Sequence, residues 1–401
     1  MAEMPANPTH RLSNIADKNA LASIMLVANP LVCYGAVILT FRNNVDSVLT
    51  WTLLFSSLLL SALLGASLSH RIKGSTLALW TTLGVLASLA LPALNSPSIP
   101  VSSAVAVLLG VSLGFGMPAC MNLYTKSVPV ENRGRTSGLT MLITGAGLFA
   151  IIAVNNENML VFGLLLAAWR LLGLLVFLYA RPIAVEPKQK TGPSYGQVVR
   201  QQSFILYFIP WVMFSLVNYL TDPLNPNYAA GGGGLELLEI GLIGVFAVLG
   251  GFLLDAVGRK RIAIAGFIML GIGYAGLGMG VNSISLFFDA VFNGAAWGLL
   301  LVLFILTLWG DLSNGSPSDK YYAIGVLPFV ASILLRFVLG KYVGSLEQAS
   351  LFPFAAFFLF LAVLPLFYAP ETLPEKHIRE REVASYINKA QKIKGKYSQP
   401  T

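Results

Sequence analysis

The sequence predicts an all-α membrane protein of twelve transmembrane helices, arranged as two similar six-helix bundles. Three observations lead to this fold class: few charged residues, long apolar runs, and loop motifs that recur halfway along the chain. Charged residues make up 11% of the 401 residues and hydrophobic ones 56%, whereas soluble domains contain about 25% charged residues. The composition therefore excludes an ordinary soluble protein.

The apolar runs predict the positions of the helices. A helix needs about 20 predominantly apolar residues to cross a hydrocarbon core of about 30 Å. The runs are solidly apolar and do not alternate with period two, which favours helices over a transmembrane barrel. Predicted helices 1 to 12 cover about 20–41, 47–68, 75–94, 101–124, 136–154, 159–180, 203–221, 236–257, 262–281, 284–310, 321–340 and 349–369.

The distribution of Lys and Arg predicts the orientation in the membrane. With the amino terminus inside, 22 of the 26 Lys and Arg residues fall on the inner side, as the positive-inside rule requires. We therefore expect both termini to be cytoplasmic and the protein to lie in the cell (plasma) membrane. The net charge of +8 then reflects topology, and no nucleic-acid partner is expected. Cys33 and Cys120 lie in helices 1 and 4 and are expected to be packing residues.

Two loop motifs predict an internal duplication. Residues 65–74 after helix 2 read GASLSHRIKG, and residues 251–261 after helix 8 read GFLLDAVGRKR, offset by 186. Loops 4–5 and 10–11 begin their motifs at Pro129 and Pro317, offset by 188. We therefore expect halves 1–180 and 203–370, a cytoplasmic linker 181–202 and a charged cytoplasmic tail 371–401. Repeats of this kind are typical of secondary transporters, whose solute site lies near the bilayer midplane between the repeats.

At these motifs the sequence resembles the major facilitator superfamily. Residues 251–260 match the signature loop of that family, G-x-x-x-D-x-x-G-R-K, and residues 129–138 resemble its loop 4–5 pattern, P-x-x-x-R-G-R. Residues 370–372, Pro-Glu-Thr, are similar to the sequence after helix 12 in sugar-porter-like members. The first-half copy departs from the pattern, because Ser69 stands where the signature has Asp.

The resemblance implies a cytoplasmic gate. Asp255 would face helix 5 across the boundary between the halves, meeting its positive amino end and Arg133 or Arg135. The alternative is that the basic residues only set topology and that Asp255 caps its helix locally. The predicted gate residues are Asp255, Gly258, Arg259, Lys260, Arg133 and Arg135.

The resemblance also implies a central cavity lined by helices 1, 4, 7 and 10. Helix 10 carries Asp289, Asn293 and Trp297 at successive i+4 steps, hence on one face. Such a stripe can instead hold helices together. The predicted cavity residues are Asn29, Tyr34, Trp211, Asn218, Tyr219, Asp289, Asn293 and Trp297.

Ionisable residues inside the membrane are costly and are presumed functional or paired. Asp289 and Arg336 lie at similar predicted depths and could form a buried ion pair, either structural or proton-sensitive. Arg170 in helix 6 is expected to anchor hydrogen bonds within the first half, with an anion site as the alternative.

No catalytic constellation is present in the sequence. The three histidines fall in predicted cytoplasmic segments, and there is no metal-ligand spacing and no G-x-x-x-x-G-K-[ST] phosphate loop. We therefore expect no enzyme activity and no cofactor. The predicted function is secondary active or facilitative transport of a small organic solute by alternating access, by a monomer in the lipid bilayer, with protons as the candidate coupling ion. The alternatives are a multidrug efflux antiporter, a non-transporting sensor and an integral membrane enzyme.

Overall fold

The computed structural model describes residues 18–45, 47–69, 74–96, 98–154, 158–180, 192–221, 233–343, 348–374 and 383. Half of the predicted linker 181–202 and nearly all of the predicted tail 371–401 lie outside these residues. The regular structure of the described residues is helical throughout.

Helical segments lie at each of the predicted positions. We label them α1 to α12 and give interrupted helices as two pieces. They are α1 Lys18–Asn44, α2 Val48–Leu68, α3 Gly74–Leu89, α4 Ile99–Gly114 with Met117–Ser127, α5 Arg133–Val154, α6 Met159–Ala180, α7 Gln202–Thr221, α8 Gly233–Val257, α9 Arg259–Gly278, α10 Ser283–Leu301 continuing to Leu308–Leu312, α11 Asp319–Gly325 with Leu327–Val343, and α12 Gln348–Leu361 with Val363–Tyr368.

Ten of the described helices are long and apolar enough to cross a membrane. Of the other two, α3 has 16 residues, and α11 is interrupted at Val326. The all-helical fold class is therefore confirmed, while twelve membrane crossings stay a prediction.

The sequence explains the main irregularities of these helices. Pro118 lies in the first turn of the second piece of α4, where its missing N–H has no intrahelical role. Pro30 and Pro210 lie inside α1 and α7 and each removes one backbone donor. A π-helical turn, Val302–Thr307, interrupts α10, and such turns occur frequently at functional sites.

The packing of the helices repeats from one half to the other. In the first half α2 packs on α4, α3 on α6, and α1 on both α5 and α6. In the second half α8 packs on α10, α9 on α12, and α7 on both α11 and α12. Across the boundary α5 packs on α8, and its counterpart is the contact of α11 with α2. Each pairing in the first half thus has its equivalent in the second.

One end of the bundle carries the end of α2, the start of α3 and the loops α4–α5, α8–α9 and α10–α11, and we call it the basic end. There α5 and α8 approach each other through glycines. A methyl group added at Gly251 would lie 2.5 Å from the carbonyl oxygen of Gly134 and 2.8 Å from the Cα atom of Gly138. Side chains at these positions would therefore separate the two halves.

We expect Gly251→Ala to lower the melting temperature of the purified protein, because the new methyl group overpacks the α5–α8 contact at a cost of roughly 1–3 kcal/mol. Gly241→Ala on the same helix is the matched control, since nothing lies within 4 Å of its added methyl group. Alanine also favours helix over glycine, so the control should unfold at the wild-type temperature or above it. Equal melting temperatures for the two variants would contradict the close approach.

Candidate functional site

Asp255 joins the two halves at the basic end. Its carboxylate accepts hydrogen bonds from the backbone N–H groups of Gly134 at 2.9 Å and Arg135 at 2.8 Å. These N–H groups belong to the first turn of α5, where no intrahelical acceptor exists and the helix dipole is positive. An acid on α8 in the second half therefore caps a helix of the first half.

Asp255 belongs to a buried cluster of two arginines and two acids, which we call the charged cluster. Arg259 lies 3.1 Å from Asp255, and its Nε atom donates to Asp311 at 3.0 Å. Arg133 of the first half forms a second ion pair with Asp311. The members of the charged cluster are Asp255, Arg259, Asp311 and Arg133, each at most 5% exposed.

Further donors of the two arginines bind backbone carbonyls, while the buried Nε of Arg133 has no hydrogen-bond partner among the described residues. Arg133 donates to Thr125 at 2.9 Å and to Val128 at 3.2 Å. Arg259 donates to Leu254 at 2.9 Å and, across the boundary between the halves, to Val130 at 2.6 Å. Because the formal charges of the four members balance, removing one member would leave an uncompensated buried charge, at a cost of about 3–5 kcal/mol.

The beginning of α9 is capped from beyond α12. Glu371 accepts hydrogen bonds from the backbone N–H groups of Arg259 at 2.9 Å and Lys260 at 3.1 Å. Gly258 has a φ of 113°, and an added methyl group would lie 2.5 Å from the Glu371 carboxylate. Glycine is therefore required both by the backbone and by the cap. The ammonium group of Lys260 donates to the carbonyl of Phe367 at 2.7 Å, so this residue contacts its own half.

The first-half copy of the signature loop makes the equivalent contact with different chemistry. The Ser69 hydroxyl donates to the Asp319 carboxylate at 2.9 Å, joining the end of α2 to the start of α11. Nearby, the Asn122 side chain accepts from the backbone N–H of Ser318 at 3.1 Å. The acid missing from the first copy is thus supplied by the facing loop.

A neutral hydrogen-bond bridge lies between the charged cluster and the middle of the bundle. Thr307, in the π-helical turn of α10, donates to Ser137 of α5 at 3.0 Å, and Ser137 lies 2.9 Å from the hydroxyl of Tyr124. The polar contacts between the halves given above lie at the basic end. The two halves are therefore closed against each other at that end.

A cavity of about 260 Å³ lies between the halves, next to this bridge. Its walls come from α1, α2, α4 and α5 of the first half and from α10 and α11 of the second. Tyr34, Thr144 and Tyr322 provide the side-chain oxygens of the wall, and the other residues that line it are apolar or glycine.

The two predicted cavity residues of the first half, Tyr34 and Asn29, lie in different surroundings. Tyr34 lines the cavity. Asn29 points towards α6 instead, where it donates to the carbonyl of Trp169 and lies 3.5 Å from Arg170. Arg170 also donates to the carbonyl of Ser112 at 3.2 Å. Asn29 and Arg170 thus form a network within the first half.

The predicted aromatic residues of the second half pack behind the cavity wall. Trp211 stacks on Phe304 and on Phe329, with ring centroids 4.7 and 5.7 Å apart. Trp297 and Tyr219 also contact Phe329, at 6.1 and 5.3 Å. Phe329 is the member of this group that lines the cavity.

The predicted polar residues of the second half contact its own helices. Asn218 lies 3.4 Å from the hydroxyl of Tyr274 on α9. Asp289 lies beside Gly273 of α9, and Asn293 donates to Glu239 of α8 at 3.1 Å. Direct solute contacts by these residues stay predictions.

Arg336 lies on α11, and its predicted pairing with Asp289 likewise stays a prediction.

Sequence reasoning missed Asp311, Glu371 and Asp319 as partners of the gate. The Pro-Glu-Thr motif marked Glu371 without indicating a role, and the departure at Ser69 marked a position whose compensation lies 250 residues away. Asp311 carries no motif in this sequence and is found only through its contacts.

Comparison with known proteins supports the fold. No protein-family model and no curated protein match the sequence. Among solved structures, the proton:xylose symporter XylE bound to 6-bromo-6-deoxy-D-glucose is similar with a TM-score of 0.62 and 14% identity, over 91% of this chain and 97% of that chain. The human organic anion transporter MFSD10 (TETRAN) has a TM-score of 0.60 and 15% identity, over 90% and 100% of the two chains.

A bacterial homologue of the iron transporter ferroportin, in an outward-facing state, is similar with a TM-score of 0.64 and 15% identity, over 88% of this chain and 97% of that one. The long apolar helices and these neighbours together define a multi-pass membrane protein. Its fold is that of the major facilitator superfamily, as the sequence motifs predicted.

We expect the stability of the protein to depend on pH through Asp319. Burial raises the pKa of Asp319 to about 6, against the opposing effects of the Ser69 hydrogen bond and of Lys126 and Lys320. Because this pKa lies above its ordinary value of about 4, protonation stabilises the folded protein below pH 6. That stabilisation, roughly 1 kcal/mol between pH 5.5 and 7.5, is lost as the pH rises through 6.

The measurement is the melting temperature of the wild type and of Asp319→Asn over that pH range. The variant mimics the protonated acid, so it should be the more stable of the two proteins, and its advantage over the wild type should widen by roughly 1 kcal/mol from pH 5.5 to pH 7.5. A difference that stays constant with pH would contradict this account.

Proposed function

We propose that this protein transports a small solute across the cell membrane by alternating access. The observation that carries the proposal is a cavity between two repeated halves that are closed against each other at one end. Closure uses both equivalent helix pairs, α5 with α8 and α2 with α11. A scaffold of this kind can open at the closed end and close at the other by rocking one half against the other.

The contacts that close the basic end suit a switch because they are non-covalent and can be exchanged for contacts with water. Asp255 binds two backbone N–H groups, and water can replace it as their acceptor when α5 and α8 separate. A buried ion-pair cluster also gains little net free energy over its hydrated state. The closed and open conformations can therefore differ by only a few kcal/mol, as a solute-driven change of population requires.

The positive-inside rule places the basic end in the cytoplasm. On that orientation the conformation described is closed to the cytoplasm. The contacts of Asp255, Arg133 and Arg259 across the boundary between the halves support their assignment to the cytoplasmic gate. Gly258 and Lys260 would support the gate indirectly, by fixing the beginning of α9.

A disulfide lock tests alternating access. The Ser69 and Asp319 side chains are 2.9 Å apart, so Ser69→Cys combined with Asp319→Cys should form a disulfide in the closed conformation. The native cysteines, Cys33 and Cys120, are buried. We expect oxidation of the double variant to abolish flux in proteoliposomes and reduction to restore it.

Flux is measured by mass spectrometry with a defined pool of sugars, organic acids and uncharged ketones. Each single-cysteine variant is a control that cannot form the bridge. If every transported solute crosses the membrane equally fast through the oxidised and the reduced double variant, transport by rocking of the halves is refuted.

We also propose that protons drive the transport. Besides the acids of the basic end, Asp289 and Glu239 are buried in helices of the second half, each at most 4% exposed. Intramembrane acids are costly and are associated with proton relays. The contact of Glu239 with Asn293, one helical turn from Asp289, connects α8 to α10 at this site.

We expect Asp289→Asn to reduce pH-driven accumulation of the transported solute at least tenfold while leaving solute exchange intact. The amide keeps the size of the acid but cannot take up a proton. Glu236→Gln, in the first turn of α8, is the control and should keep accumulation. Wild-type accumulation by Asp289→Asn would refute coupling at this residue.

A further inference from the structure

The geometry of the cavity points to the chemical class of its solute. We propose that it binds an uncharged, largely apolar molecule with one hydrogen-bond acceptor, which the Tyr34 hydroxyl orients. The proposal rests on the proposed function for the biological role of the cavity, but binding can be tested without transport.

The walls of the cavity exclude charge. Of the 21 described residues that line it, none is ionised at neutral pH, and only Tyr34, Thr144 and Tyr322 carry a side-chain oxygen. Most of the others are aliphatic, with Phe329 and three methionines among them. Methionine side chains are flexible and polarisable and adapt to apolar ligands of different shape.

Two of the three hydroxyl donors are already engaged. Thr144 donates to the carbonyl of Thr140 at 2.8 Å, and Tyr322 donates to the carbonyl of Leu306 at 2.5 Å. The Tyr34 hydroxyl is buried and has no hydrogen-bond partner among the described residues. A buried hydroxyl without a partner costs about 1–3 kcal/mol. The Tyr34 oxygen is almost inaccessible in this conformation, so the carbonyl or ether oxygen of a ligand would recover that cost once the side chain turns towards the cavity.

This wall suits none of the solute classes for which the structural neighbours are named. A sugar would bury several hydroxyl groups where one donor is free, and each unpaired hydroxyl costs about 1–3 kcal/mol. An organic anion would find no cation among the described residues of the wall. The described residues contain no group of His, Cys, Asp or Glu that could hold a metal ion. A shared fold therefore does not imply a shared solute, because specificity lies in the site.

The size of the cavity sets a further limit. Its volume of about 260 Å³ lies just below the range of about 300–1,000 Å³ that is usual for drug-sized ligands. We therefore expect a compact solute, and a two-ring aromatic ketone is a suitable probe.

Isothermal titration calorimetry on the purified full-length protein tests the proposal with four probes. They are 2-acetylnaphthalene, which has one carbonyl; naphthalene, which has none; 2-naphthoate, which is an anion; and D-xylose, which is a polyol. We expect saturable binding of the ketone, about five- to tenfold weaker binding of naphthalene, and no binding of naphthoate or xylose.

Three variants assign the binding to the cavity. Tyr34→Phe should weaken ketone binding about five- to tenfold and leave naphthalene binding unchanged, because only the hydroxyl is lost. Ala62→Phe places a ring in the cavity wall and should abolish binding of both. Tyr368→Phe, at a residue 81% exposed on α12, makes the same chemical change outside the cavity and should bind both probes as the wild type does.

Binding of xylose or naphthoate as tight as that of the ketone would overturn the proposal. So would the absence of ketone binding, or equal ketone affinities for the wild type and Tyr34→Phe. The outcome is separable from that of the disulfide lock. Lock-sensitive flux of sugars would refute the apolar solute and leave transport standing, whereas the expected binding pattern with lock-insensitive flux would do the reverse.

Discussion

The contact between the two halves depends on which group accepts hydrogen bonds from the backbone N–H groups in the first turn of α5. A helix begins with backbone N–H groups that have no acceptor of their own, and those of α5 lie at the boundary between the halves. Asp255 supplies the acceptor from the opposite half. The glycines of α5 and α8 allow the approach, Arg259 holds the carboxylate, and Asp311 pairs with both Arg259 and Arg133. Every part of the charged cluster thus follows from one unsatisfied helix end and the acid brought to it.

The duplicated halves solve the same problem in two ways. At the α5–α8 contact the acid sits in the signature loop and binds backbone N–H groups. At the α2–α11 contact the signature loop has Ser69 and the acid sits in the facing loop, as Asp319. The first contact is embedded in a charge-balanced cluster, while the second is a single hydrogen bond near two lysines. The two sides of the boundary therefore respond to different conditions, although their helices pack alike.

Much of this arrangement could be predicted from the sequence. Apolar runs give the helices because the bilayer sets their length, and the repeated loops give the pairing of the halves. Asp255, Arg133 and Arg259 were predictable because a motif carries them. The solute site was harder, because polar side chains in apolar helices mark either a cavity or a contact between helices. Asn29 and Asn293 contact neighbouring helices, while Tyr34 lines the cavity. Helical spacing cannot make that distinction, since it fixes which residues share a face but not what the face meets.

The π-helical turn of α10 lies between the apolar wall of the cavity and the charged cluster. Leu301 and Ile305 line the cavity, and Asp311 of the same helix binds both arginines. A regular helix turns by about 100° per residue, so the extra residue that a π turn accommodates rotates everything after it by about that angle. Without this rotation Asp311 would leave the arginines or the apolar residues would leave the cavity. The π turn of α10 thus lets a single helix present apolar side chains to the cavity along one stretch and an acid to the charged cluster along the next.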